Sequence, residues 1–255
     1  MTFLDEVIAV KKREAAALPK DTHFGARTSR PSFDQALRGR GLSVVAEIKR
    51  RSPSKGVLAP SLNAAEVARA YADGGASAIS CLTDREFFGA RTGDIGDACA
   101  AGPPVLRKDF IIDERQVSES ARLGASAILL IVRILRAKEL ASLLGTARDF
   151  GLDALVEVHD EAEIDTAVGA GAAIIGVNNR DLGTLAVDPD RARRLRPRIP
   201  DGVLTVAESG VRTRADVERI EDAGFDAVLI GEALATHADP AAHLRELRGE
   251  RGARS

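Results

Sequence analysis

Ser43-Val44-Val45-Ala46-Glu47-Ile48-Lys49-Arg50-Arg51-Ser52-Pro53-Ser54-Lys55-Gly56 begins as an apolar strand and breaks into a polar loop containing Pro and Gly. Successive strand side chains point to opposite faces. Val45, Glu47 and Lys49 therefore share one face, and Ala46 and Ile48 take the other. A carboxylate beside an ammonium on an inward face costs desolvation energy unless the two are paired or used. Read alone, the stretch is equally an exposed edge-strand ion pair. The endings of the other strands decide between the two readings.

From Ser43 onward, apolar runs alternate with helical periods. Strands are expected at 43–48, 77–82, 104–108, 126–131, 153–158, 173–177, 203–207 and 226–230. Helices are expected near 63–73, 92–101, 113–123, 136–150, 160–169, 188–196, 213–223 and 239–248. This alternation predicts a parallel sheet, and its length favours a closed (β/α)8 TIM barrel over an open doubly wound sheet. An internal repeat supports closure. Gly75-Ala-Ser-Ala-Ile79, Gly124-Ala-Ser-Ala-Ile128, Gly171-Ala-Ala-Ile-Ile175 and Gly224-Phe-Asp-Ala-Val228 each join a helix end to a new strand. Their spacing of about two βα units marks alternate strands, with Gly just past each helix end.

An N-terminal helical extension, residues 1–40, precedes the barrel. Residues 2–17 read as an amphipathic helix with Thr2 as N-cap and Pro19 as stop. Phe3, Leu4, Val7, Ile8 and Ala15 form its apolar side, and Lys11, Lys12, Arg13 and Glu14 its solvated face. A polar connector, 20–31, leads to a short helix at 32–37 capped by Ser32. No linker-like composition shift divides the chain, so 1–255 reads as one domain, with 245–255 expected to fray.

Composition narrows the function. The 255 residues carry 36 basic and 38 acidic side chains, a net charge of −2. That balance argues against nucleic acid as the main partner but leaves room for a local anion site. Cys81 and Cys99 have no metal-ligand spacing and read as small core residues. No apolar run is long enough for a membrane span and no signal peptide is evident, so a cytoplasmic location is expected. With no Trp and one Tyr, the core must be Ala, Val, Leu and Ile.

In such barrels active sites lie at the C-terminal ends of the strands. The first strand ends in Glu47 and Lys49, the third in Arg107-Lys108-Asp109-Phe110, and the fifth in Glu157-Val158-His159. The sixth ends in Asn178-Asn179-Arg180, the seventh in Glu208-Ser209-Gly210 and the eighth in Gly231-Glu232. Six such endings at one rim are hard to explain as surface decoration. Alternation turns Glu47, Lys49, Lys108, Glu157, Asn178 and Glu208 into the mouth, with Arg180 in reach. Lys108 beside Lys49 is expected to have a lowered pKa, suiting a proton donor near neutrality. A Schiff-base lysine is an equally open reading of the same residue. Ser209-Gly210 and Gly231-Glu232 fit a phosphate cradle, with the Glu232 side chain pointing away, though both glycines can simply turn the chain. Ser52, Ser54 and Lys55 lie on a loop long enough to close over a ligand, or are simply solvated. His159 either faces the mouth or, the favoured reading, starts the next helix in the loop, and Asp109 and Asp181 read as partners of loop arginines. Phe110 and Phe87-Phe88 either wall an aromatic ligand or plug the barrel top.

The motifs resemble those of the indole-3-glycerol phosphate synthase family. They are Ala46-Glu-Ile-Lys-Arg-Arg-Ser-Pro-Ser-Lys-Gly56, Leu82-Thr-Asp-Arg-Glu-Phe-Phe-Gly89, Val105-Leu-Arg-Lys-Asp-Phe-Ile111 and Leu155-Val-Glu-Val-His159. Ile175-Gly-Val-Asn-Asn-Arg-Asp-Leu182, Ala207-Glu-Ser-Gly-Val211 and Leu229-Ile-Gly-Glu-Ala-Leu234 complete the ordered set, which spans nearly the whole chain. The resemblance implies a carboxy-lyase of tryptophan biosynthesis. It closes 1-(2-carboxyphenylamino)-1-deoxyribulose 5-phosphate to indole-3-glycerol phosphate, losing CO₂ and water, without cofactor or metal. It also implies roles: Lys108 as general acid, Glu157 and Glu47 in proton transfer during dehydration, and Lys49 in binding the anionic substrate and as a second proton donor. Asn178, Glu208 and Arg180 would position the substrate. Ser209, Gly210, Gly231 and Glu232 would hold the phosphate, with Ser52 near the carboxylate end and Phe110 against the ring. Two departures stand out: Ala90-Arg91 where the family usually has Gly-Ser, and Arg133 where it often has a small residue.

Competing readings are another phosphate-binding barrel enzyme (a Schiff-base aldolase or sugar-phosphate isomerase) and a non-catalytic phosphate-ligand barrel. Simple anion binding gains nothing from Glu47, Glu157 and Glu208, which argues against the last. A monomer acting on a small phosphorylated aromatic substrate is expected.

Overall fold

The computed structural model describes residues 3–19 and 30–250. Eight parallel strands close into a barrel in sequence order, the last pairing with the first. They are β1 Ser43–Ile48, β2 Ala78–Leu82, β3 Val105–Lys108, β4 Ala127–Ile131, β5 Asp153–Val158, β6 Ile174–Asn178, β7 Leu204–Glu208 and β8 Ala227–Ile230. The expected strands all form, within a residue or so at each end. Their outward side chains, among them Val44, Ile79, Ile128, Val156, Ile175 and Val228, pack into one apolar layer with the surrounding helices. Their inward partners, among them Val45, Leu106, Leu129, Leu155, Val206 and Leu229, form a separate cluster that fills the barrel. Both faces of each strand are thus buried, as expected of a parallel sheet wrapped in helices.

Gly75, Gly124, Gly171 and Gly224 all have positive φ, between 79° and 89°, and feed β2, β4, β6 and β8. A side chain is strained in that left-handed region, which explains why the repeat keeps glycine at these four positions.

Two helices precede the barrel and lie at opposite ends of it. Helix α1, Phe3–Ala17, lies over the C-terminal mouth: Phe3 meets Phe87 and Phe110 edge-on at centroid distances of 5.3 and 6.5 Å. The expected N-cap Thr2 lies outside the described residues. Helix α2, Phe33–Leu37, plugs the other end with buried Phe33 and Leu37, and Ser32 caps it as expected. The Asp153 carboxylate at the start of β5 accepts from the Phe33 and Asp34 backbone N–H groups, both at 3.0 Å.

Lys11 departs from its expected place on a solvated face. It is 1% exposed and its ammonium lies 2.7 Å from Asp84, 2.8 Å from Asp109 and 2.8 Å from Glu14. Helical periodicity placed it near the boundary of the apolar side, and the two buried carboxylates on the barrel rim draw it inward. Lys12, Arg13 and Glu14 stay exposed. At the other terminus, helix Pro240–Leu247 stays packed, with Leu247 buried and Arg245 donating to the Asp73 carbonyl oxygen at 3.1 Å. Residues 251–255 of the expected frayed tail lie outside the described residues. Cys81 is buried in the core, whereas Cys99 is only half-buried.

Candidate active site

The loop after β1 is built in two parts. Arg50 is its anchor: buried, ion-paired to Asp94 and donating to the Leu62 carbonyl oxygen at 3.0 Å. Beyond it a hairpin pairs Arg51–Ser52 with Gly56–Val57 and carries Ser52 and Ser54 to the rim of a cavity of about 450 Å³. The cavity sits at the C-terminal mouth of the barrel. Every site residue singled out from the sequence lines it: Glu47, Lys49, Ser52, Lys108, Phe110, Glu157, Asn178, Arg180, Glu208, Ser209, Gly210, Gly231 and Glu232.

The floor is a cluster of charges brought in by four strands, β1, β3, β5 and β7. Lys49 turns onto Glu47 at 2.7 Å, while Lys108 reaches across to Glu157 at 3.3 Å and Glu208 at 3.4 Å. This geometry overturns the expected lowering of the Lys108 pKa. Burial alone would lower it, but Glu157, Glu208 and Glu47 outweigh burial and raise it. Lys49 is held by its own carboxylate instead of repelling Lys108. The Lys108 amine therefore carries its proton at neutral pH: it has a proton to give, though it holds it more tightly than the expected lowered pKa would, and it is unsuited to forming a Schiff base.

The carboxylates divide by environment. Burial pushes Glu157 and Glu47 upward, but Lys108 and Lys49, respectively, more than offset it and both are lowered. Glu208 goes the other way. Burial, with the neighbouring charges of Glu157 and Glu47, pushes it up to about 8 despite Lys108. One site therefore holds ionised carboxylates beside a protonated carboxylic acid.

Two glycines make room for this cluster. A Cβ on Gly176, in β6, would collide with the Glu208 carboxylate, and one on Gly231 would collide with Glu47 and meet the Lys49 ammonium at 3.0 Å. At the far end of the cavity, Ser209 and Gly210 both have positive φ, 66° and 88°. A non-glycine residue held there is strained, and such strain persists where the surroundings fix it. Here the Asn179 side-chain amide grips the Ser209 carbonyl oxygen at 3.0 Å. Gly231 N-caps the short helix Glu232–Ala235 without a side-chain cap. Glu232 does not point away as expected. It lines the cavity, with Arg212 at 2.9 Å and Arg180 at 3.9 Å.

Apolar walls complete the cavity. Phe88 and Phe110 approach at 6.2 Å and, with Phe3, face one side. Phe87 instead packs against Phe3. Asp181 pairs with Arg133 at 3.0 Å, as expected of a loop-arginine partner. Asp109 pairs with Lys11 as well as Arg107, and also touches the cavity. Phe3 and Arg212 were missed: periodicity shows that Phe3 is apolar but not what it covers, and Arg212 carries no motif beyond following Val211.

A family model described as Indole-3-glycerol phosphate synthase matches residues 4–247. The chain belongs to the indole-3-glycerol phosphate synthase family. Indole-3-glycerol phosphate synthase of Chlorobium phaeovibrioides is 47% identical over 244 residues, covering 92% of this chain and 95% of that one. Indole-3-glycerol phosphate synthase 2 of Streptomyces coelicolor is 50% identical over 218 residues, covering 85% and 84%. Among solved structures, a 3-hexulose-6-phosphate synthase superposes with a TM-score of 0.65 at 18% identity, covering 84% of this chain and 100% of that one. That likeness speaks for the barrel alone. As an indole-3-glycerol phosphate synthase family member the chain is a carboxy-lyase of tryptophan biosynthesis acting on a small phosphorylated substrate. Among the described residues no helix is long and apolar enough to cross a membrane.

Proposed function

We propose that the charge cluster at the barrel mouth closes the indole ring, with Lys108 as the general acid. The observation that carries this reading is the Lys108 ammonium held 3.3 Å from Glu157 and 3.4 Å from Glu208 at the cavity floor. In 1-(2-carboxyphenylamino)-1-deoxyribulose 5-phosphate, the ring carbon bearing the carboxylate attacks the sugar ketone carbon. A carbon–carbon bond forms while the carbonyl π pair moves to oxygen, and Lys108 supplies the proton that oxygen needs. The carboxylate then leaves as CO₂, returning its bonding pair to the ring. The new hydroxyl takes a second proton, from the Lys49 ammonium, and leaves as water, while a carboxylate takes the proton released from the neighbouring carbon as the five-membered ring becomes aromatic. Glu157 and Glu47, held ionised by their lysines, suit that acceptance.

The remaining residues bind. Lys49 and Arg180 offset the substrate's anionic charge, Asn178 and Glu208 orient its hydroxyls, and Ser52 lies toward the anthranilate carboxylate. Phe110 stacks on the aromatic ring. Ser209, Gly210, Gly231 and Glu232 surround the phosphate mainly through backbone groups, since the Glu232 carboxylate is engaged with arginine. No cofactor or metal enters this scheme, and among the described residues no group of three or more His, Cys, Asp or Glu side chains is arranged to hold a metal ion.

Product formation followed by indole fluorescence, with Glu157→Gln and Glu47→Gln alongside wild type, tests the scheme. Both variants are expected to lose about a hundredfold or more in kcat. Borohydride added with substrate is expected to leave Lys108 unmodified. A trapped Lys108 adduct would replace the general-acid reading with Schiff-base chemistry.

A further inference from the structure

His159 lies two residues beyond Glu157, where a helix start was favoured over a place facing the mouth. Its side chain is instead fully buried between two carboxylates. Nδ1 lies 3.0 Å from a carboxylate oxygen of Glu163, in the first turn of helix Glu161–Gly169, and the His159 backbone N–H donates to that same oxygen at 2.7 Å. On its other side, Nε2 lies 3.4 Å from Oε1 of Glu157. Both of those atoms are buried and, among the described residues, neither makes a hydrogen bond; they face each other as a close polar contact. Oε2 of Glu157 is the oxygen that meets Lys108.

Glu163 is itself held. Arg133, on the turn after β4, donates to it at 2.8 Å and to Asp181 at 3.0 Å, with Asp160 at 3.5 Å. Burial raises Glu163, but His159 and Arg133 more than offset it and keep it ionised. An ionised carboxylate only accepts, so Nδ1 of His159 must carry a proton, which leaves Nε2 as the atom that answers to Glu157. The charged groups around the imidazole are thus Glu157 on β5 and Glu163 on its helix. Arg133, Asp160, Asp181 and Lys108 lie one contact further out. Arg133, one of the chain's departures from the family pattern, lies at the outer end of this line.

We propose that His159 is a positioning residue for Glu157: clamped by Glu163 and Arg133, it presents Nε2 to Oε1 and fixes the orientation and ionisation of that carboxylate. Oε2 is thereby left turned toward Lys108 and the substrate. The proposal rests on the reading of Glu157 as a proton-transfer residue.

The two amide replacements separate this role from simple packing. An Asn side chain reaches only as far as Nδ1, so His159→Asn keeps the contact with Glu163 and loses the one with Glu157. A Gln side chain reaches the place of Nε2 and presents an amide N–H to Glu157. His159→Asn is expected to lower kcat about tenfold or more with KM little changed, as is common when an outer partner of a reacting group is removed. His159→Gln is expected to restore most of kcat. Spectra of protein carrying 15N-labelled histidine are expected to show the Nε2 signal of His159, not Nδ1, responding to Glu157→Gln. Wild-type kcat in His159→Asn beside an impaired Glu157→Gln would overturn the proposal alone. So would equal losses in both His159 variants, or an Nε2 signal indifferent to Glu157→Gln. A wild-type rate in Glu157→Gln would overturn the reading of Glu157 and the proposal with it.

Discussion

Glu208 is buried beside Lys108, and among the described residues neither of its carboxylate oxygens makes a hydrogen bond. With its folded-state value near 8 against an ordinary carboxylate value near 4, the folded protein binds this proton more tightly than the unfolded chain does. The stability it contributes is present in acid and is lost as pH rises through that window, at up to about 1.4 kcal/mol per pH unit. Glu208→Gln removes the titration. Urea unfolding of the ligand-free protein between about pH 5 and 8 should therefore show wild type losing stability with pH relative to the variant. Parallel curves for the two proteins would show that Glu208 stays ionised. Space matters as much as charge here. Gly176→Ala places a methyl group where the Glu208 carboxylate lies, so Glu208 must move. The expected outcome is a folded barrel with kcat lowered about tenfold or more, in keeping with the sensitivity of reacting geometry to small displacements. Neither effect was legible in the sequence. Alternation identified Glu208 and Lys108 as inward, but which inward residues meet across a barrel depends on its stagger, and that decided the sign of the Lys108 shift.

Helix α1 shows the same limit one level up. Its amphipathic pattern was readable, including the buried Val7 and Ala15. Its seat over the mouth was not, because an apolar stripe does not say what it will cover. Lys11 is the pin: it reaches past the stripe to Asp84 and Asp109, and Asp109 directly follows Lys108. Lys11→Met should leave buried Asp84 without its cation and Asp109 with Arg107 alone, and destabilise the fold by about 3–5 kcal/mol, measured by chemical denaturation. A variant as stable as wild type would mean that the pair is dispensable. The strands, by contrast, were legible almost to the residue. Each is an apolar run entered from a left-handed glycine or a turn, and six of the eight close on an ionisable, amide or small polar residue. The hairpin at 51–57 and the turn at Val132–Ile134 were not, since elements of two or three residues carry no period to read.

For the molecule as a whole, the alternation of eight strands with helices and the recurring Gly-Ala segments were enough for the closed barrel. The residues ending its strands were enough to place the cavity. What folding adds is the arrangement of charge: one ammonium set among three carboxylates, with a second lysine turned away onto Glu47. The account stands on that ammonium acting as the proton donor for ring closure. The most direct test is steady-state formation of indole-3-glycerol phosphate by Lys108→Ala at neutral pH under saturating substrate, beside wild type. Loss of general-acid catalysis at this step predicts a kcat lowered by about a hundredfold to ten-thousandfold, with the variant still folded by circular dichroism. A Lys108→Ala enzyme turning over within a few-fold of wild type would contradict it.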